Sequence, residues 1–380
     1  MPEEVAVIQQ VINKYFKSVL VSDNQNYYEF IVEPLNNSSV EEAFKKLYAE
    51  LVGQLSYAVL LFKDSGNYVL RVSKREMRRN TRRRYTITLI LSIITIVSVA
   101  YAGYLTTQYF NQAVSSLGLS NLRLDISWST LLFTLTVVVP IVTHEFSHYL
   151  MGRKLMVPVT PPTLIPAPLI SPLGTFGAII GMKHLPKSLK DLVRIGLAGP
   201  LAGTIASCVL FAVMYILSPV VSYNIVAEAV GKGLLQEIRV LPLGSVLIMK
   251  FIDVLRWSEG GMTSVILSPP ALAALFIILI HFINLLPLGQ LDGGHVIRGL
   301  TDVHIHRLAG LVTLVAALIT TLLIPDLLWL GIFVVAAFLI TGLREHPGSS
   351  NMLSKLKRAH KLRYFIIYAV LLTFTAPIII

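Results

Sequence analysis

The sequence predicts a polytopic α-helical membrane protein with about seven transmembrane helices and a small α+β domain at its amino terminus. Two observations lead to this fold class. The 380-residue chain is 54% hydrophobic and only 14% charged, well to the membrane side of ordinary soluble domains. Its cationic residues also flank long apolar stretches, as the positive-inside rule expects of cytoplasmic loops. We therefore expect a multi-pass protein of the cell membrane, with its amino terminus in the cytoplasm and its carboxyl terminus outside.

Residues 1–73 differ from the rest of the chain because they mix charged and apolar positions. Apolar residues recur at three- and four-residue spacing over Val5–Val19, which predicts an amphipathic helix. The stretch Tyr28–Val32 suits a strand. Ser39 and Glu42 form a capping box that predicts a second helix, and Ala58–Val72 is typical of a β-hairpin. We expect a small soluble α+β domain on the cytoplasmic side.

A basic juxtamembrane linker, residues 74–84, leads into the membrane part. Residues 85–343 are expected to form a core with six spans, followed by a basic cytoplasmic loop at 344–363 and a seventh span at 364–380. The expected spans are Tyr85 to about Leu105, Ile126–Gly152, about Ile195–Leu217, Pro269 to about Leu286, two helices within 308–343 that turn at Pro325–Asp326, and Tyr364–Ile380.

The net charge of +11 does not indicate nucleic-acid binding. The positive residues cluster beside apolar spans, and no aromatic-interleaved basic groove accompanies them. The lipid bilayer is the expected partner of this charge. Cys208 is the only cysteine, so no disulfide can form within the chain.

The second span carries a cluster of ionisable side chains at membrane depth. Between Asp125 and Arg153, the only ionisable residues near neutral pH are His144, Glu145 and His148, in the order His-Glu-Phe-Ser-His. Residues four apart share one face of a helix, so the two imidazoles can bind one zinc ion while Glu145 acts as a general base. The alternative is a chance match on a surface helix, but the apolar flanking sequence argues against a solvated face.

A catalytic zinc site needs a third protein ligand and an open position. The segment after the fourth span supplies a candidate in Asp292, which is followed by Gly293 and Gly294. Pro287 interrupts helical bonding and the glycine pair permits a sharp turn, so Asp292 could face the metal. Alternatively, Asp292 is an ordinary helix-end residue beside a plain turn.

Taken together, these segments resemble the site-2 protease family of intramembrane zinc metalloproteases over about residues 126–300. In that family, HExxH is joined by an Asn-x-x-Pro-x-x-x-x-Asp-Gly motif, which Asn284 to Gly293 match. The resemblance implies that His144, His148 and Asp292 bind one Zn²⁺ per chain. It also implies that Glu145 is the general base and that Asn284 holds the substrate carbonyl or the developing oxyanion.

Two further segments extend the resemblance, especially to the branch shared by archaea and plant chloroplasts. Residues 174–179 look like the family's membrane-associated β-hairpin, and residues 198–203 match its small-residue third helix. In the hairpin, an exposed strand edge would bind substrate by strand addition, through Gly174, Thr175, Phe176 and Gly177. The alternative is a re-entrant loop that only packs the helices. We interpret the small residues as helix packing, and residues 219–268 as too short and apolar for a PDZ domain.

The function expected from this resemblance is hydrolysis of peptide bonds within or near transmembrane segments, in regulated intramembrane proteolysis. The partner is then a transmembrane protein substrate, while the oligomeric state stays open. A membrane metal-ion transporter and an inactive, zinc-stabilised membrane scaffold are the alternatives. His281 lies one turn before Asn284 and is either a partner of a metal ligand or a packing residue, and His295 could approach the site.

Overall fold

The computed structural model describes residues 3–35, 39–74, 81–256, 263–342 and 346–380. Its amino-terminal domain contains two α-helices, a π-helical segment at Ala49–Gln54 and one antiparallel sheet with the strand order β1-β2-β4-β3. The bounds are α1 Glu3–Ile12, β1 Phe16–Asp23, β2 Tyr27–Pro34, α2 Val40–Tyr48, β3 Val59–Asp64 and β4 Asn67–Ser73.

The secondary-structure elements predicted within residues 1–73 agree with the structure, with one exception. The strand at β2, the helix that begins after Ser39 and the β3–β4 hairpin are confirmed, and the Ser39 side chain accepts a hydrogen bond from the Glu42 N–H at 3.2 Å. The first helix does not reach Val19, because it ends at Ile12 and the chain continues as β1. Phe16 is fully buried in the core between sheet and helices, while Val19 faces outward from the strand.

The amino-terminal domain is docked on the rest of the protein through the open edge of β3. The Leu61 N–H donates to the Ser350 carbonyl at 2.8 Å, and the Met352 N–H donates to the Leu61 carbonyl at 2.9 Å. His184 lies in the same joint. Its Nε2 is 3.1 Å from the Val59 carbonyl oxygen and 3.0 Å from the Ser350 hydroxyl.

We expect the docking of this domain to weaken as the pH falls below about 6.5. Burial lowers the pKa of His184 from 6.5 to about 4, so the ring is neutral in the docked state. It faces the Tyr48 ring, the Val59 carbonyl and Ser350. A released domain leaves His184 free to bind a proton below its ordinary pKa, so protonation of His184 does not oppose docking above pH 6.5 and weakens it progressively from pH 6.5 toward pH 4.

The measurement uses a protease site inserted within residues 75–80. After cleavage, the amino-terminal fragment should copurify with the membrane part at pH 7.5 and dissociate increasingly at pH 5. His184→Gln should remove this pH dependence, whereas His304→Gln, which changes an exposed histidine, should retain it. Equal retention of the fragment at both pH values would contradict the assignment.

The membrane part contains ten helices among the described residues. They are α3 Thr81–Ser116, α4 Ile126–Lys154, α5 Leu189–Ile216, α6 Tyr223–Gly231, α7 Leu243–Arg256, α8 Pro269–Leu285, α9 Asp292–Leu300, α10 Val303–Leu323, α11 Leu328–Ala337 and α12 Arg358–Thr375. Three two-stranded sheets accompany them: β5 Thr163–Pro166 with β6 Thr175–Ile179, β7 Val220–Ser222 with β9 Thr263–Val265, and β8 Val240–Pro242 with β10 Pro377–Ile379.

Four of the described helices, α3, α4, α5 and α10, are long and apolar enough to cross a membrane. The apolar α8 and the segment Pro325–Ile340 are shorter. The described part of the chain is therefore mostly helical with four candidate spans, and the predicted number of seven is not confirmed. The predicted seventh span differs most, because α12 opens with three cationic residues and its apolar part, 364–375, is only about 18 Å long.

The carboxyl terminus also departs from the prediction. Instead of a span that continues to Ile380, the helix ends at Thr375 and β10 pairs with β8. Pro377 cannot supply the N–H that a continuing helix needs. Within residues 219–268, the structure places β7, α6, β8, α7 and β9, elements that the sequence reading did not predict.

Helices α4, α5 and α8 pack against one another and form the centre of the membrane part. The hairpin β5–β6 lies against α3, where the Ser98 hydroxyl donates to the Gly174 carbonyl at 2.6 Å. α9 packs on α5 through Val193, Leu197 and Val296. Because α9 follows α8 after a short irregular segment, its first residue lies beside α4 and α5.

Candidate metal centre

The HExxH residues lie on the buried face of α4, which continues through Pro140 without ending. His144, Glu145 and His148 are all less than a tenth exposed. The His144 and His148 rings meet edge to face, and their Nε2 atoms are 3.1 Å apart. The four-residue spacing therefore brings both imidazoles to one point inside the helical bundle, as predicted.

Asp292 completes this cluster from α9. One carboxylate oxygen is 3.1 Å from His144 Nε2, and the other is 3.2 Å from His148 Nε2. Asp292 is the first residue of α9, a separate short helix after α8. The chain between the two helices turns at Gly289, whose φ is +49°.

The glycine pair after Asp292 has a different role from the predicted one. Gly293 and Gly294 are helical, and what they provide is close contact rather than a turn. A Cβ on Gly293 would lie 1.9 Å from the Leu285 carbonyl oxygen, and one on Gly294 would lie 2.4 Å from that of Gly289. Only glycine lets α9 approach the end of α8 this closely.

His148 is held by a backbone group on α5. Its Nδ1 lies 2.8 Å from the Ile195 carbonyl oxygen, which can only accept a hydrogen bond. Nδ1 therefore donates, which leaves Nε2, the atom that faces His144 and Asp292, as the nitrogen that can bind a metal. The hydrogen-bond partner of His148 is a backbone carbonyl, which every residue has. No signal in the sequence could therefore have identified Ile195.

The small residues of α5 make room for the metal-ligand candidates. A Cβ on Gly199 would lie 2.1 Å from His148 Nε2, and one on Gly203 would lie 2.9 Å from the Cβ of His144. Residues 198–203 were predicted to serve the packing of helices. In the structure, Gly199 packs against the His148 ring, and Gly203 packs against the His281 ring and the Cβ of His144.

His281 lies behind His144 rather than in the cleft. The two rings are parallel and their centroids are 5.1 Å apart. His295 lines the cleft from α9, and its Nδ1 lies 2.9 Å from the Leu291 carbonyl oxygen. The approach of His295 to the site is thus observed.

A cleft opens beside the cluster. Its walls come from α4, α5, α8, α9 and the end of the hairpin, and Glu145, Asn284 and Gln290 face it. The hairpin contributes Ala178 and Ile179. None of the residues proposed from the sequence for substrate binding lines the cleft. Gly174 packs on α3, Thr175 donates to the Ile165 carbonyl at 2.7 Å, Phe176 is exposed, and the Gly177 N–H donates to the Thr175 hydroxyl.

The donor set fits a divalent metal. Among the described residues, His144, His148 and Asp292 form a group whose ligand atoms all lie within 4.8 Å of one another. His148 Nε2 faces a second imidazole nitrogen and a carboxylate oxygen, an arrangement that a cation between them stabilises. Two imidazoles and a carboxylate are ligands that zinc accepts, with one position left for water or substrate.

Comparison with known proteins agrees with this geometry. A sequence model of the family described as Peptidase family M50 matches residues 132–324, just over half of the chain. The chain belongs to peptidase family M50. The matched region includes the HExxH helix, the hairpin, α5 and the Asp292 helix, so the metal centre lies inside the M50 region.

This M50 chain is similar to curated plant proteins. It is 31% identical over 156 residues to the probable zinc metalloprotease EGY2, chloroplastic, of Arabidopsis thaliana. The aligned region makes up 40% of this chain and 25% of that protein. It is 29% identical over 158 residues to the probable zinc metalloprotease EGY1, chloroplastic, of Oryza sativa subsp. japonica, which covers 41% and 25%. The chain thus spans about a quarter of the length of these relatives. No solved structure matches it.

Proposed function

We propose that this chain is an intramembrane zinc metalloprotease that hydrolyses peptide bonds within or near transmembrane segments, in regulated intramembrane proteolysis. The observation that carries the proposal is the meeting of His144, His148 and Asp292 beside Glu145, in a cleft among helices apolar enough to span a membrane. Membership of family M50 and the relatives named as zinc metalloproteases support the same activity.

His144, His148 and Asp292 would hold the zinc ion. When bound, zinc polarises the scissile carbonyl and makes water nucleophilic near neutral pH. The Ile195 carbonyl fixes the His148 ring, so the ligand is oriented before the metal arrives. The apolar side chains of Val159, Ala178 and Ile195 enclose the cleft and reduce competing water.

Glu145 is proposed as the general base. It is buried, it faces the cleft and it lies next to His144 in the sequence without being part of the three-residue ligand group. Its carboxylate takes a proton from the attacking water and passes it to the leaving nitrogen. Asn284 faces the same cleft, and its amide N–H₂ donates to the substrate carbonyl oxygen as negative charge develops there.

A transmembrane substrate must expose its backbone before hydrolysis, because a helix hides its carbonyls in its own hydrogen bonds. Strand β6 pairs with β5 on one side and with no other strand among the described residues. We propose that an unwound substrate segment pairs with this edge, along residues 174–177, and reaches the metal past Ala178 and Ile179.

The arrangement in the membrane is also a proposal. Residues 1–73 form a cytoplasmic domain, 74–84 a basic linker, 85–343 the protease core, 344–363 a basic cytoplasmic loop and 364–380 the final segment. The cationic residues that support this orientation include Arg153 and Lys154 at the end of α4 and Lys187 and Lys190 at the start of α5. The metal centre then lies toward the cytoplasmic face.

Purified protein in detergent, incubated with fluorogenic membrane-spanning peptides, tests this function. We expect cleavage that stops when a chelator removes zinc and returns when zinc is added back. The same protein in liposomes should carry no zinc across the bilayer. Zinc flux without cleavage would support a transporter, and bound zinc with neither cleavage nor flux would support an inactive scaffold.

A further inference from the structure

The segment 346–354, which we call the strap, connects the amino-terminal domain to the candidate metal centre. On one side it adds to the edge of β3, with a parallel bridge between Leu61 and Asn351. Ser350 and Asn351 are almost completely buried in this contact. The strap thus acts as an added strand of the domain's sheet, although it lies about 280 residues further along the chain.

On its other side the strap holds α9. The Arg298 Nε donates to the His346 carbonyl at 3.1 Å, and the His346 ring meets the His295 ring edge to face at 4.8 Å. Gly348 has a φ of +84°, and a Cβ there would lie 2.8 Å from the Arg298 guanidinium. Arg298 and Asp292 belong to the same nine-residue helix. A contact that fixes the position of Arg298 therefore also constrains the position of Asp292.

The docked domain also contacts the region at the end of α4. The Tyr48 hydroxyl donates to the Leu185 carbonyl at 2.8 Å, and the strap's Ser350 N–H donates to the Pro186 carbonyl at 2.8 Å. The next residue, Lys187, donates to the carbonyl of Leu155 at 3.2 Å, and Leu155 caps α4. The interface between the amino-terminal domain, the strap and residues 185–187 is therefore linked to α4, which carries both histidines, and to α9, which carries Asp292.

We propose that the docked amino-terminal domain, through the strap and Arg298, positions the Asp292 helix against the two histidines and so sets the metal affinity of the site. Arg298 is then a positioning residue, and the domain is a working part of the metal centre rather than a separate module on a linker. This inference rests on the proposed function, since it takes His144, His148 and Asp292 as the ligands.

Two pairs of variants test the proposal at different points. Met352→Pro removes the N–H that donates to Leu61, while Met352→Ala keeps it, and the Met352 side chain is exposed. Arg298→Ala removes the contact with the strap on the α9 side, while Arg358→Ala removes an exposed cation elsewhere. The zinc affinity of each full-length protein is measured by competition with a chromophoric chelator, and the Co²⁺ absorption spectrum reports ligand geometry.

We expect Met352→Pro and Arg298→Ala each to weaken zinc binding on the order of 10-fold and to shift the Co²⁺ spectrum. Met352→Ala and Arg358→Ala should bind zinc as the wild type does. If the cleaved amino-terminal fragment of Met352→Pro dissociates while zinc affinity is unchanged, the proposal is wrong. Should Arg298→Ala not fold, Met352→Pro alone decides. A wild-type protein that binds no zinc would instead overturn the proposed function.

Discussion

Replacing Glu145 by glutamine is expected to reduce peptide cleavage on the order of 10²- to 10⁴-fold while zinc stays bound. Glutamine has nearly the same shape but cannot accept the proton of the attacking water. Glu145 is outside the group of three ligand candidates, so its charge is not needed to hold the metal. Cleavage of a fluorogenic membrane-spanning peptide and metal analysis of the same sample measure the two effects separately.

The matched control is Glu228→Gln. Glu228 is exposed on α6 and pairs with Lys232, a surface contact that contributes little to stability. This variant should cleave as the wild type does. If Glu145→Gln retained the wild-type rate, Glu145 would not be the general base, and if it lost zinc, its carboxylate would belong to the metal site.

Replacing Gly199 by alanine is expected to weaken zinc binding at least about 100-fold and to abolish cleavage. The new Cβ would lie 2.1 Å from His148 Nε2 and 2.5 Å from Cδ2, so the ring must move. The ring cannot simply rotate away, because its Nδ1 is bonded to the Ile195 carbonyl and it is buried. A single methyl group on α5 therefore removes a ligand that α4 supplies.

Gly310→Ala is the control for this prediction. Gly310 also lies in a long apolar helix, α10, but an added Cβ would meet its nearest neighbours at 3.5 and 3.8 Å, which is ordinary contact. We expect unchanged zinc content and activity. Wild-type zinc affinity in Gly199→Ala would mean that His148 does not bind metal in the orientation that the structure shows.

The parts of the cluster whose proximity could be predicted from sequence have local or motif-based signals. The spacing of His144 and His148 is set by one helical turn, so it was readable without tertiary information. Asp292 is 144 residues beyond His148, and only its resemblance to a family motif connected the two. The structure brings it into contact with both imidazoles, while its role as a ligand stays a prediction.

The parts that sequence missed depend on tertiary contacts. The Ile195 carbonyl belongs to the backbone, and the contact of Gly199 with His148 arises only when α4 and α5 pack. The strap was read as part of a basic loop, because strand addition to a distant sheet leaves no periodic pattern in so short a segment. In the amino-terminal domain, the first helix ends at Ile12 and β1 follows it. Apolar residues four positions apart lie on one face of a helix and also on one face of a strand, so the spacing alone did not reveal where the helix ends.

The central claim is that His144, His148 and Asp292 together hold one zinc ion, and metal analysis of purified variants tests it most directly. The wild type and Asn284→Ala should each contain one zinc per chain, because Asn284 faces the cleft without belonging to the ligand group. Asp292→Ala, with one of three ligands removed, should lose most of its zinc while its apolar spans still insert. An Asp292→Ala protein that keeps a full zinc ion at wild-type affinity would contradict the account.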